Sequence, residues 1–362
     1  MFVHLAVGVA IVENVFTIAV GDSSASIPSQ EVASFDTLAL SLSLDAGGEC
    51  SFTVPGNSPT AQIINELASD VWVYKSGVIF ARYRIISIGQ AWGPDNDDVV
   101  SVTAVDYKRL MNARHVQTAL TYTATGQADI IAAIIAHTQS QPGGDWGITN
   151  GTLDNDGQLR DRSYALGENI GTILANLSGV INGPYWSVDG GLVLNVSSGD
   201  ITAFPIQGTP IMLGGTARAL SRSGSTGEFA NSVFVDGDSA STTPVVTDSP
   251  TIATDPRGRW ERAVGFPNVV EQATLTQYAA GLVEEFNSPL STWSCDIDAA
   301  RYVSDAAFSP GDRVTVVVPA TVAAPIGNPG FSVTGQVMTV SLSFTADGAL
   351  TVSMEVIETS AI

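Results

Sequence analysis

Residues 99–105 (VVSVTAV) alternate apolar with small polar positions at the strand period of two. Val71 to Tyr74 is a β-branched and aromatic run closed by the Ser76-Gly77 turn, and Phe80 to Ile88 is a basic strand after it. At Asp106 the spacing becomes helical, through Tyr107, Leu110 and Met111. Asp70 to Arg114 is therefore predicted to form three strands running into a helix. Upstream, Phe2 to Val12 and Val15 to Val20 predict two strands, and Leu38 to Leu44 with Cys50 to Val54 a hairpin. After the breaker Pro55-Gly56-Asn57-Ser58-Pro59, Thr60 to Ala68 predicts a short amphipathic helix with Ile63, Ile64 and Leu67 on one face.

The same order of strands recurs near the C-terminus. Asp312 to Val318, Phe331 to Leu342 and Leu350 to Val356 repeat the three strands, the last entered through the Asp347-Gly348 turn signal. Leu220 to Ser223 and Val233 to Val235 repeat the hairpin strands at Leu40 to Ser43 and Phe52 to Val54. The hairpin recurs after 180 residues (Leu40 to Leu220) and the later strands after 242 (Asp70 to Asp312). The second copy thus holds about 62 additional residues, expected between Asp236 and Ala300.

Between the copies the period is helical. Gly126 to Gln139 and Glu168 to Val180 predict two helices, and Tyr185 to Val188 pairs with Leu192 to Val196 through Asp189-Gly190-Gly191. Asp236 to Arg259, rich in Ser, Thr, Asp and Pro, predicts an extended loop. A helix over Val269 to Phe286 and a strand over Trp293 to Ala299 follow. The predicted fold class is α+β, mainly β: two similar β modules with two small α+β insertion domains. The expected boundaries are 1–112 for the first module and 113–205 for the first insertion. Residues 206–236 with 300–362 make the discontinuous second module, and 237–299 its inserted domain.

At 362 residues, 44% hydrophobic and only 14% charged, with 35 glycines, the chain has a folded, β-rich composition. Its formal charge of −21 argues against groove reading or phosphate clamping of nucleic acid. Cys50 and Cys295 are the only cysteines, so two buried thiols are expected instead of a disulfide framework. No run of 18 apolar residues occurs, so no membrane anchor is expected. Met1 to Val20 imitates a signal peptide, but it lacks a basic start and carries His4, Glu13 and Asn14; it reads as strands.

The sequence carries few chemistry-bearing motifs. There is no P-loop, HExxH, GxSxG or strand-following GxGxxG. His4, His115 and His137 are far apart in sequence. The acidic tips Asp95-Asn96-Asp97-Asp98 and Asp154-Asn155-Asp156-Gly157 carry oxygen ligands suited to Ca²⁺, yet neither has full EF-hand spacing, and solvated turns are the better reading. Asp296 and Asp298 alternate on one predicted strand face, the arrangement a polysaccharide hydrolase with paired carboxylates would need. A carbohydrate-binding tail protein would instead use exposed aromatics such as Trp92, Trp146 or Trp186. No catalytic, cofactor-binding or metal-binding residue is assigned.

Several longer runs are more telling. They are Phe80-x-Arg82-x-x-Ile85 leading to Val102-x-Ala104-Val105-Asp106-Tyr107-x-x-Leu110-x-x-Ala113-Arg114, then Gly183-Pro184-Tyr185-Trp186-Ser187-Val188 with its Gly190-Gly191 hairpin. Asn231 to Asp236 precedes the inserted domain, and Phe308-Ser309-Pro310-Gly311-Asp312-Arg313 follows it. In these runs and in domain order the chain resembles the phage tail hub (baseplate hub, minor tail) proteins. The resemblance implies tube-type β-barrel or sandwich modules and a homotrimer whose six modules make a ring of approximate sixfold symmetry. It also implies a structural virion protein of the tail tip, assembled in the host cytoplasm, that caps the tail tube. The implied partners are a distal tail or tail tube protein, a tape measure protein and other tail-tip proteins, with DNA passing through the lumen without specific binding. Some larger hubs carry a fused lysozyme or peptidase domain; none is evident before Ile362.

Overall fold

The computed structural model describes residues 16–33, 35–92, 98–155, 157, 159–179, 183–199, 204, 206–224, 229–267, 269–287, 291–304, 308–319, 330–345 and 349–359. The predicted strand at Phe2 to Val12, Val15 and the Asp347-Gly348 turn lie outside them. The chain is α+β and mainly β, built on one large curled antiparallel sheet.

The N-terminal strands of that sheet are β1 (Phe16–Asp22), β2 (Gln30–Glu31), β3 (Thr37–Ser43), β4 (Glu49–Pro55), β5 (Ser69–Lys75), β6 (Val78–Ala91) and β7 (Val99–Asp106). Helix α1 (Pro59–Ile63) lies between β4 and β5, and α2 (Tyr107–Leu110) follows β7. An α+β unit comes next: β8 (Leu120–Gly126), α3 (Gln127–Gln139), β9 (Thr149–Leu153), β10 (Leu159–Tyr164), α4 (Ile170–Ser178), β11 (Tyr185–Val188) and β12 (Val193–Ser197). The chain re-enters the large sheet at β13 (Ile211–Met212) and β14 (Ala217–Gly224). A second small unit holds β15 (Ser232–Asp236), β16 (Val245–Asp248), β17 (Glu261–Gly265) and α5 (Gln272–Asn287). Then come β18 (Ser291–Ile297), α6 (Ala299–Ser304), β19 (Arg313–Val318), β20 (Phe331–Thr345) and β21 (Leu350–Glu358).

Among the described residues the large sheet has 13 strands, in the order β14-β18-β21-β20-β3-β4-β7-β6-β5-β1-β2, with β19 beside β20 and β13 beside β19. Neighbours in the first run, β3-β4-β7-β6-β5-β1, follow one another as in the second, β14-β18-β21-β20-β19-β13. Both long strands carry a bulge at the same step of the ladder. Ile85 faces Ala104 and Ser87 faces Thr103, leaving Ile86 extra; Val337 faces Val356 and Thr339 faces Glu355, leaving Met338 extra. The runs differ at the outer strand, where β1 meets β5 antiparallel and β13 meets β19 parallel.

Strand β20 joins the runs. Its residues Phe331 to Gln336 pair with β19, whereas Thr339 to Thr345 pair with β3. Alternation gives the joined sheet one apolar face, so Leu38, Phe52 and Val102 pack in the same core as Leu342, Phe344 and Met354. Phe16 of the first strand meets Phe344 edge-on at 5.4 Å between ring centroids.

Three expectations need correcting. Val233 to Val235, matched to the hairpin strand Phe52 to Val54, sits in β15, which pairs with β16 and β17 in a separate sheet. Its buried side, with Ala230, Val233 and Val235, packs on Leu275, Ala279 and Phe286 from the α5 region. Strand β18 instead holds the place that β4 holds in the first run. An alternating pattern specifies a strand but not its partner. Second, the stretch expected as an extended loop contains β16 and a 3₁₀ turn at Ile252–Thr254; pairing with β15 orders two valines among turn-forming residues. Third, α1 ends at Ile63 because Ile64 is extended and Leu67 is left-handed at φ 61°, which turns Leu67 into solvent.

Candidate assembly surface

The predicted site residues stay apart. His4 and Asp95 to Asp97 lie outside the described residues, as does Asp156. His115 is exposed, and His137 accepts a hydrogen bond at Nε2 from the Gln117 amide, 3.1 Å away. Asn155 works as a helix cap. Its Oδ1 accepts the Ala128 N–H at 2.9 Å and its Nδ2 donates to Asp129, so Asn155 closes the start of α3, whose own Gly126 supplies no side chain. Among the described residues no group of three or more His, Cys, Asp or Glu is placed to hold a metal.

Asp296 is exposed on β18, but Asp298 lies past its end. There Asp298 accepts the Ala300 and Arg301 amides at 3.0 and 3.3 Å, capping α6, and pairs with Arg218 at 3.1 Å. Slight burial works to raise its pKa; hydrogen bonds from Arg218 and those amides outweigh it and hold the carboxyl below the ordinary aspartate value. A proton-donating carboxyl needs the opposite shift. The aromatic candidates diverge too. Trp92 is 75% exposed, Trp186 is buried, and Trp146 packs against Tyr107 and under Arg114. Burial pushes the free thiols of Cys50 and Cys295 up to about 12, which makes them inert.

What the strands do assemble is a buried ionic cluster. Asp70 on β5 has no exposed surface; its two oxygens accept Arg82 Nε at 2.6 Å and Arg84 Nε at 2.5 Å. The Tyr107 hydroxyl donates to the same carboxylate at 2.6 Å and accepts Arg84 Nη2 at 2.8 Å. Burial, then the neighbouring Asp70 charge, pushes the Tyr107 pKa upward. Arg82 also donates to the carbonyls of Ser23 and Ala25, and Arg84 to that of Leu67. One carboxylate therefore ties β5 and β6 to the start of α2 and to two loops. The basic alternation Arg82-x-Arg84 on an otherwise apolar strand was the sequence signal for this cluster.

Lys108 fastens the first small unit to the sheet. Its Nζ donates to the carbonyls of Leu44 and, at 2.9 Å, Trp186, and lies 4.8 Å from the Trp186 ring centroid. Burial lowers its pKa to about 8 against the pull of Asp45 and Asp106.

On the solvent side, the join between the two runs is floored by small hydroxyl residues. Ser51, Ala39, Ser343 and Thr351 stand in one row across β4, β3, β20 and β21, and Glu49, Ser41, Ser341 and Ser353 in the next. They line an open groove of about 280 Å³ with Arg109, which pairs with Glu49 at 2.6 Å. The signal was the alternation of serine with Leu or Phe in β3 and β20.

No protein-family model matches the chain, and no curated protein matches it significantly. Solved structures do. A tail protein from Neisseria meningitidis MC58 superposes with a TM-score of 0.68 at 11% identity, over 96% of this chain and 97% of that one. The 43 kDa tail protein of prophage MuSo2 from Shewanella oneidensis gives 0.64 at 10% identity, over 94% and 97%. The fold is that of the phage tail hub-like proteins. This hub-like fold extends to an Escherichia coli type VI secretion component described as similar to the T4 tail proteins gp27 and gp5. That match has a TM-score of 0.53 at 11% identity, over 94% of this chain and 77% of that one.

Proposed function

We propose that this chain is a structural protein of the virion tail tip. In this reading it is a hub that forms a trimeric ring of approximate sixfold symmetry, caps the tail tube and lines part of the DNA exit channel. The observation that carries the reading is the repeated strand order, with its repeated bulge, in two runs joined edge to edge by β20 and β3. A chain holding two equivalent β modules converts three copies into six units, which suits a threefold assembly mating with a sixfold tube. The first module is β1 to β7 and the second is β13, β14 and β18 to β21. The α+β units at β8 to β12 and β15 to α5 are insertions that widen the ring.

The hydroxyl-floored join is the face assigned to the lumen. Small neutral side chains with scattered carboxylates, Glu49, Asp296 and Glu355, give DNA phosphates little to bind, the Arg109 guanidinium there being engaged by Glu49, and the chain's overall charge of −21 repels them within a screening length of about 8 Å. Partners would be a tail tube or distal tail protein on one side and tape measure and other tip proteins around the ring. The role is structural, without a catalytic step.

Light scattering and imaging of the purified chain test this. The expected result is a particle three times the 37.6 kDa chain mass with a central hole. A monomer at micromolar concentration sinks the reading, and so does tight duplex binding at physiological salt.

A further inference from the structure

The join inside one chain is a template for contact between chains. β5 accompanies β6 only as far as Arg84, so the second half of β6 has one open edge among the described residues; Gly89 to Trp92 are all exposed. At the far end of the sheet, β14 pairs with β18 on one side and, among the described residues, with no strand on the other. These edges correspond to the two that are already joined. Setting the bulges Ile86 and Met338 equal makes Ile88, Gln90 and Trp92 the counterparts of Val340, Leu342 and Phe344. Ile88 and Val340 face Val102 and Met354, which face Phe52 and Cys295, which in turn face Leu38 and Leu220. Leu220, Arg222 and Gly224 are therefore the counterparts of Leu38, Leu40 and Leu42.

We propose that the open half of β6 pairs antiparallel with β14 of a second copy of this chain, in the register of the internal join. Phe344 faces Leu38, Leu342 faces Leu40 and Val340 faces Leu42 within the chain. Between chains, Trp92 then faces Leu220, Gln90 faces Arg222 and Ile88 faces Gly224. This gives the 75% exposed Trp92 an apolar partner where the internal join buries Phe344 on Leu38. The edges are protected until then. Glu66 Oε1 accepts the Ile88 N–H at 2.8 Å, and Leu67 N–H donates to the Ile85 carbonyl, so a loop covers the start of the edge. In the proposed register Arg222, which pairs with Glu358 at 2.7 Å within its own chain, comes two residues along the strand from the position that Glu66 covers. Because two different edges of one chain are used, the contact is head-to-tail, the kind that builds a ring when the rotation between copies closes, as the proposed trimer requires.

The inference rests on the ring reading, and the test separates them. Full-length Ala91→Cys and Ser221→Cys proteins are mixed and oxidised; these positions face each other in the proposed register, as Ser343 faces Ala39. Linked dimers should form in the mixture at about tenfold or more the yield of either variant alone, and at about tenfold the yield of Ala91→Cys mixed with Ser223→Cys, two residues out of register. Trp92→Ala should raise the concentration at which the assembly dissociates about tenfold. Trimer mass without the 91–221 link overturns the edge pairing and leaves the ring; monomer mass overturns both.

Discussion

In the first β run Asp70 stands opposite Arg84; at the same step of the second, Arg313 stands opposite Gln336. One run buries a carboxylate between two guanidiniums there. The other buries a neutral amide, whose Nε2 donates to the Gly311 carbonyl at 3.2 Å and whose Oε1 accepts the Tyr185 hydroxyl at 3.4 Å. The strand order and the bulge survive either solution. The ionic cluster is thus not what makes the topology. Its role is to hold particular elements together: β5, β6, α2 and two loops converge on Asp70, and a buried charge that must be satisfied admits one arrangement of them.

Removing the shared acceptor should break this comparison most sharply. Asp70→Ala leaves Arg82 and Arg84 buried without their carboxylate and should destabilise the chain by about 3–5 kcal/mol in urea unfolding. Gln336→Ala, at the matched step, should cost about 1–3 kcal/mol. Equal losses would mean the cluster has no special role.

The two join positions give the next contrast. Phe344→Ala opens the core at the internal join and should cost about 3 kcal/mol or more, whereas Trp92→Ala should stay within about 0.5 kcal/mol at concentrations too low for assembly. A large Trp92 effect in the isolated chain would show that its ring already packs within it.

Lys108 offers the smallest and most specific effect. Its folded pKa, about 8, lies below its ordinary value of 10.5, so between these values the unfolded chain binds the extra proton. Stability should therefore rise from pH 8 to 10.5 as the buried ammonium discharges in the fold, and stay flat with respect to this group below pH 8. The unfolding midpoint of Lys108→Met should lack that rise.

Periodicity alone marked most of these strands. Val99 to Val105 became β7 and Leu350 to Val356 became most of β21, because a strand with one wet face must alternate. The helices Gly126 to Gln139 and Val269 to Phe286 were equally legible from their apolar spacing. The breakers around Pro55 likewise marked the start of α1. Partner choice was not legible. Val233 to Val235 and Trp293 to Ala299 both read as strands, yet only the second, as β18, joins the large sheet, since backbone hydrogen bonds between strands are indifferent to side chains and the local sequence carries no address. Nor could spacing show that Arg82 and Arg84 share Asp70, or that Asn155 caps a helix begun 28 residues earlier at Gln127. Those contacts exist only after the sheet has brought distant segments within hydrogen-bonding reach. Local alternation and turn chemistry thus determined which segments are strands and helices, while burial and pairing across the whole chain decided which edges meet and which stay open.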